Sequence, residues 1–126
     1  MNHFYIGPKN IFGQFLIEVF NDESIPLYTL LDATAEEIKL RFKEQQATDL
    51  WFHSDSLVLL MALSRDFPDL LKGVKKIYYL QKEKNKEDKE QSPSFCGFSG
   101  EIKKLSFPLS IEDIRRELSF SSSSIQ

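Results

Sequence analysis

The chain has 126 residues, 41% hydrophobic and 28% charged, with 11 Phe, 4 Tyr, one Trp, 5 Gly and 5 Pro, proportions that exclude a disordered or collagen-like chain and fit one folded domain. A formal charge of −3 is the wrong sign for a face that grips a phosphate backbone, so direct nucleic-acid binding is not expected. Cys96 is the only cysteine, which excludes an internal disulfide framework, and with two histidines it leaves too few ligands for a Cys/His zinc site.

A domain of this length buries roughly two-thirds of the surface that its unfolded chain exposes, so the aromatic residues can furnish a core without staples. The longest strongly apolar run, residues 57–63, is far short of the roughly 18 residues that span a bilayer, and the amino terminus lacks a basic-then-apolar signal. These features predict a soluble, cytoplasmic protein with no membrane partner.

Five short segments rich in aromatic and β-branched residues read as strands: 3–6, 25–30, 49–53, 76–80 and 102–107. Phe4-Tyr5-Ile6, Leu50-Trp51-Phe52 and Ile77-Tyr78-Tyr79-Leu80 are nearly continuous apolar runs, as strands covered on both faces require. The last segment is more mixed and suits a sheet edge.

Helical patterns separate the strands. Phe12, Phe15, Leu16 and Val19 form one apolar stripe, with Asn10 as the cap. Thr34 and Glu37 have capping-box spacing, and Ala35, Ile38 and Phe42 share a face behind them. A third helix starts at Ser54-Asp55-Ser56, any of which can cap, and runs through the apolar residues 57–63, so it is expected to be the most buried helix. Pro68 ends it, and residues 69–72 form a further turn closed by Gly73. The final helix starts after Ser110, in a second capping box with Asp113, turns Ile111, Ile114 and Leu118 inward, and ends at the serine tail.

Residues 82–100 open with a run of four Lys and four acids that reads as a solvated loop, followed by a turn-rich half carrying Phe95 and Phe98. Gly97-Phe98-Ser99-Gly100 lacks the strand-to-helix context of a phosphate cradle and is expected to be a turn. The predicted organisation is one domain over residues 1–119 and a flexible Ser-rich tail or linker over 120–126.

Strands alternating with helices imply an α/β three-layer sandwich of the flavodoxin-like kind, with a five-stranded parallel sheet in the order 2-1-3-4-5 and helices on both faces. Functional groups would then collect at the carboxyl ends of the strands.

Two phrases and the element order carry a resemblance. Residues 35–52, with Gln45-Gln46-Ala47-Thr48-Asp49-Leu50, look like the second helix and third strand of the receiver domain of bacterial response regulators. Phe107-Pro108-Leu109-Ser110-Ile111-Glu112-Asp113-Ile114 is similar to that family's Lys-Pro-Phe-Ser-x-Glu-Glu-Leu junction. The resemblance extends over about residues 2–119. It implies a switch site in which acids after strand one bind Mg²⁺, an Asp after strand three accepts phosphoryl, a hydroxyl follows strand four and a Lys follows strand five.

This chain departs from that pattern at nearly every position. Gly7 and Pro8 follow strand one and offer no carboxylate. Ser54 stands at the acceptor position, with Asp55 one residue later; Asp55 could substitute only where the chain bulges or turns early. Leu80 or Gln81 takes the hydroxyl position and Phe107 the lysine position. The expectation is a degenerate pseudo-receiver: no enzyme, no cofactor, no metal.

His53-Ser54-Asp55 invites a catalytic reading, but adjacent residues seldom converge on one substrate atom, and capping explains Ser54 or Asp55. The resemblance implies signalling to another protein or an output domain, with a homodimer as a further possibility, through Tyr79, Phe95, Phe98, Lys103, Lys104 and Arg115, since aromatics and Arg are enriched at hot spots. The two Phe could equally cover the sheet edge. The alternatives are an atypical active receiver with Asp55 as acceptor and Mg²⁺ on Asp32 or Asp49, or a small-molecule binder at the strand ends.

Overall fold

The computed structural model describes residues 2–81, 95–106 and 110–123, with side chains through residue 118. Five strands, β1 (His3–Gly7), β2 (Leu27–Leu31), β3 (Asp49–His53), β4 (Lys76–Gln81) and β5 (Glu101–Ser106), and four helices, α1 (Ile11–Asp22), α2 (Ala35–Glu44), α3 (Leu57–Asp66) and α4 (Ile111–Ser123), alternate as far as β4, after which β5 and then α4 follow among the described residues. The strands form one parallel sheet in the order β2-β1-β3-β4-β5, the flavodoxin-like arrangement expected from the alternation.

The pleat sorts the aromatic runs into two cores. One face of the sheet buries Phe4, Ile6, Leu50, Phe52 and Ile77 against Ile38 and Phe42 of α2 and Leu60 and Leu63 of α3. The other buries Tyr5, Trp51, Tyr78 and Leu80 against Leu16, Val19 and Phe20 of α1 and Ile114 and Leu118 of α4. All five residues of β1 and of β3 are buried, which is why those strands read as unbroken apolar runs. Each fully buried large side chain is worth about 1.5–3 kcal/mol relative to an exposed one.

Caps set where the helices begin. Asn10 Oδ1 accepts from the backbone N–H groups of Phe12 and Gly13, both at 3.1 Å. At α2 the Glu37 N–H donates to Thr34 Oγ1 at 3.2 Å while the Thr34 N–H donates to Glu37 Oε1 at 3.3 Å. At α4 the Asp113 N–H donates to Ser110 Oγ at 3.1 Å and the Ser110 N–H to Asp113 Oδ2 at 2.9 Å. Hydrogen bonds from the Ser110 backbone N–H and side chain hold the Asp113 carboxyl below its ordinary value. Thr34→Ala is expected to cost about 1 kcal/mol in urea unfolding, the usual value of a side-chain cap. A loss within error of zero would show that α2 is held by packing alone.

Several details differ from the sequence reading. The second strand starts at Leu27 rather than residue 25, because Pro26 has no N–H for the ladder and the Ile25 N–H already closes α1 by donating to Phe20 O at 3.0 Å. The third helix is not the most buried: Leu60, Leu63 and Ser64 are buried, but Val58 is 80% and Met61 39% exposed. A helix laid on a sheet buries one face, however apolar the others are. Val58, Met61, Ala62 and Arg65 instead line an open groove with Cys96.

The cap of the turn before α3 is His53, whose Nδ1 accepts from the Asp55 N–H; the Ser56 side chain makes no cap bond to α3. Ile111 is 42% exposed rather than turned inward, since it occupies the first position of α4. That helix continues to Ser123, past the expected tail boundary. The charged run 82–90 lies outside the described residues, as do Phe107 and residues 124–126 of the predicted tail.

Candidate functional site at the strand ends

β1, β2 and β3 end side by side, and the chain leaves each in a tight turn. Their loops border an open cavity of about 150 Å³ lined by Ile6, Gly7, Pro8, Asp32, Ala33, Asp55 and Ser56. It sits where the sheet order reverses between β1 and β3, the crevice where ligands bind in open α/β sheets.

Two carboxylates face this cavity, each positioned by local backbone geometry. Asp32 follows β2 with φ +51°, a left-handed conformation that Asp tolerates better than most residues. Its N–H donates to Gly7 O at 2.9 Å, and its Oδ1 accepts from the Lys9 N–H at 3.2 Å, tying the β1–α1 loop to the end of β2.

Asp55 arrives by an early turn. Residues Ser54–Ser56 form a 3-10 turn directly after β3, which is the condition under which Asp55 replaces Ser54 at the strand end. The Asp55 N–H donates to His53 Nδ1 at 3.0 Å, and its carboxylate lies 3.6 Å from the same nitrogen. His53 itself is fully buried and stacks on Phe12, with ring centroids 5.9 Å apart. Accepting a backbone bond requires the Nδ1 lone pair, so the imidazole carries its proton on Nε2. That bond occupies the nitrogen a His53-Ser54-Asp55 relay would need, and the capping role of His53 replaces the catalytic one.

Tyr5 supports the site from beneath. A Cβ on Gly7 would lie 2.4 Å from Tyr5 Oη and 3.0 Å from His53 Cβ, so β1 can end there only as glycine while the phenol fills the space. Burial, with Asp55 and Asp32 nearby, pushes the Tyr5 hydroxyl up to about 12. The Oη is buried without a hydrogen-bond partner among the described residues.

No protein-family model and no curated protein matches this chain. What the site can do therefore rests on its own geometry. Gly7, Pro8 and Asp55 of the expected switch positions come together, with Asp32 beside them. Leu80, 1% exposed, belongs to the core on the α1 and α4 face, and Gln81 Nε2 donates to Ser106 Oγ at 3.5 Å. Asp49, weighed as an alternative Mg²⁺ ligand, lies at the opposite end of the sheet, paired in register with His3 and Lys76. Among the described residues no group of three or more His, Cys, Asp or Glu could hold a metal ion.

The predicted partner surface is largely engaged within the chain. Phe95 is 7% exposed and meets the Phe52 ring edge-on at 5.6 Å, so its side chain is core and is corrected from partner contact to sheet cover. Phe98 packs partly on the same core, and Tyr79 lies 4.9 Å from the Phe52 ring. Lys103 pairs with Glu117, and Arg115 with Glu23 at the 2.5 Å contact of its Nε. Lys104 is half-buried. No helix among the described residues is long and apolar enough to cross a membrane.

The pairing of Asp32 with Asp55 was visible in sequence only as two acids following apolar runs. The involvement of Tyr5 left no signal, because its position inside a strand gives no sign of how far its hydroxyl reaches.

Proposed function

We propose that this chain is a non-catalytic regulatory or protein-interaction domain on a receiver-like scaffold, working in the cytoplasm through another protein or an output domain. The observation that carries this reading is the make-up of the strand-end cavity. Where a receiver's Mg²⁺ site needs carboxylates after the first strand, Gly7 and Pro8 supply only backbone. Of the two carboxylates present, Asp32 accepts from the Lys9 N–H through Oδ1 and Asp55 lies 3.6 Å from His53 Nδ1, and neither comes from the end of the first strand. The hydroxyl position carries buried Leu80. Partner contact falls to the half-exposed residues of β4, β5 and the loop before β5: Tyr79, Phe98 and Lys104.

A second reading has one observation in its favour: the early turn brings Asp55 into the same cavity as Asp32, as an atypical active receiver with Asp55 as acceptor would require. A small-molecule binder is less well supported, since a cavity of about 150 Å³ is well below the roughly 300–1,000 Å³ of ordinary ligand pockets. Incubation with acetyl phosphate and Mg²⁺, followed by intact-mass measurement, separates the first two. The interaction-domain reading expects no phosphoryl adduct. An adduct that disappears in Asp55→Asn would replace it with the active-receiver reading.

A further inference from the structure

The end of the sheet away from the cavity holds a second cluster of buried polar groups. His3 is 4% and Asp49 5% exposed. The Trp51 indole N–H donates to His3 Nδ1 at 3.3 Å, while His3 Nε2 lies 3.6 Å from Asp49 Oδ2. The edge of Phe20 closes the imidazole from α1, with centroids 5.2 Å apart. Beside it Thr48 clasps three strands: its Oγ1 accepts from the Asn2 N–H at 2.8 Å, its N–H donates to Asn2 O at 3.0 Å, and its carbonyl accepts from the Lys75 N–H at 2.7 Å.

An imidazole that accepts at Nδ1 carries its proton on Nε2. His3 thus offers an acceptor to Trp51 and a donor toward Asp49. A second proton would place an N–H on Nδ1 facing the indole N–H, and indole has no acceptor to answer it. Trp51 has little room to turn away, being stacked on Tyr78 with centroids 3.9 Å apart. Protonated His3 and the Trp51 bond are mutually exclusive.

We propose that His3 is an acid-released latch: when neutral it pins Trp51 and the amino end of β1, and a proton on Nδ1 breaks that bond and loosens this end of the sheet. The charged groups facing the pair are Asp49 on β3, Lys76 on β4 and Lys75 just before it; α1 contributes the uncharged Phe20 ring.

Burial is the largest influence on His3 and holds it below 6.5; Asp49 opposes this. With the folded value depressed, the unfolded chain takes up the proton first. The contribution of neutral His3 is complete above pH 6.5 and is lost as pH falls through the lower folded value. Asp49 acts in the opposite sense, because burial lifts its carboxyl, against His3 and Lys76, and its protonation favours the folded state. The latch is therefore read at the two rings rather than from global stability.

Trp51 is the single tryptophan, so the full chain gives one indole N–H resonance. Titrated from about pH 8 to pH 5, across the range where histidine changes charge, that resonance is expected to shift and exchange faster with solvent, with an inflection below 6.5 that coincides with the His3 imidazole signal. His3→Gln supplies an amide oxygen as acceptor without titrating, and is expected to keep the indole bond and lose the inflection. Asp49→Asn removes the charge that favours imidazolium and is expected to move the inflection to lower pH, a test that stands even where His3→Gln fails to fold. An indole signal that holds steady while His3 titrates, an inflection that survives in His3→Gln, or one unmoved by Asp49→Asn would overturn the latch.

Discussion

Trp51→Ala is expected to remove about 3–5 kcal/mol of stability, the usual cost of emptying a large aromatic site in a core. Trp51 is fully buried, stacked on Tyr78 at 3.9 Å and met edge-on by Phe20 at 5.5 Å. Its neighbours come from α1, β1 and β4, so no single element can close the void. A domain of this size has about 5–15 kcal/mol in all, so the variant should unfold at a much lower urea concentration when followed by far-UV circular dichroism. Trp51→Phe separates packing from polarity: it keeps a ring against Tyr78 but leaves His3 Nδ1 without its donor, at about 1–3 kcal/mol. A loss below about 1 kcal/mol for the alanine variant would contradict a core organised on this residue.

Gly97→Ala is the second large effect, expected at about 2–5 kcal/mol from two independent causes. Gly97 has φ +75°, which costs a residue with a Cβ about 1–2 kcal/mol. That Cβ would also lie 2.0 Å from the Pro68 carbonyl oxygen, and shifting that backbone costs about 1–3 kcal/mol more. The turn at residues 95–98 carries Phe95 into the core beside Phe52 of β3, so its displacement should loosen the cover of β3 as well. Gly73→Ala is the control. Its Cβ would meet only the end of the Gln46 side chain at 2.6 Å, which can swing aside, so a loss under about 1 kcal/mol is expected in the same urea titration. Equal losses in the two variants would show that the close approach to Pro68 is not what holds the turn.

The parts of the fold legible in the sequence are those fixed by local rules. Unbroken apolar runs at Phe4–Ile6 and Leu50–Phe52 mark strands covered on both faces, and the boxes at Thr34 and Ser110 mark helix starts because two backbone donors are satisfied by two residues three apart. Element order then leaves few topologies. The parts that escaped depend on what lies across the sheet. Val58 and Met61 belong to a run apolar all round, and nothing in such a run says which face the sheet will take. Phe95 reads equally as partner contact or cover until the space beside Phe52 is known. At the site, Gly7, Pro8 and Asp55 were legible as strand-end residues, but whether Asp55 reached the cavity depended on the chain turning at His53. The His3–Trp51 bond joins residues 48 apart in sequence, beyond the reach of any spacing rule.

The reading of the strand ends is tested most directly by amide-resolved NMR during titration with Mg²⁺ and beryllofluoride, a mimic of phosphoryl on an acceptor Asp. A non-catalytic domain predicts a well-folded spectrum with no saturable shifts at Gly7, Asp32, Ser54, Asp55 or Leu80. Saturable shifts clustered at those residues, abolished by Asp55→Asn in a chain that remains folded, would contradict it and make the cavity a working switch.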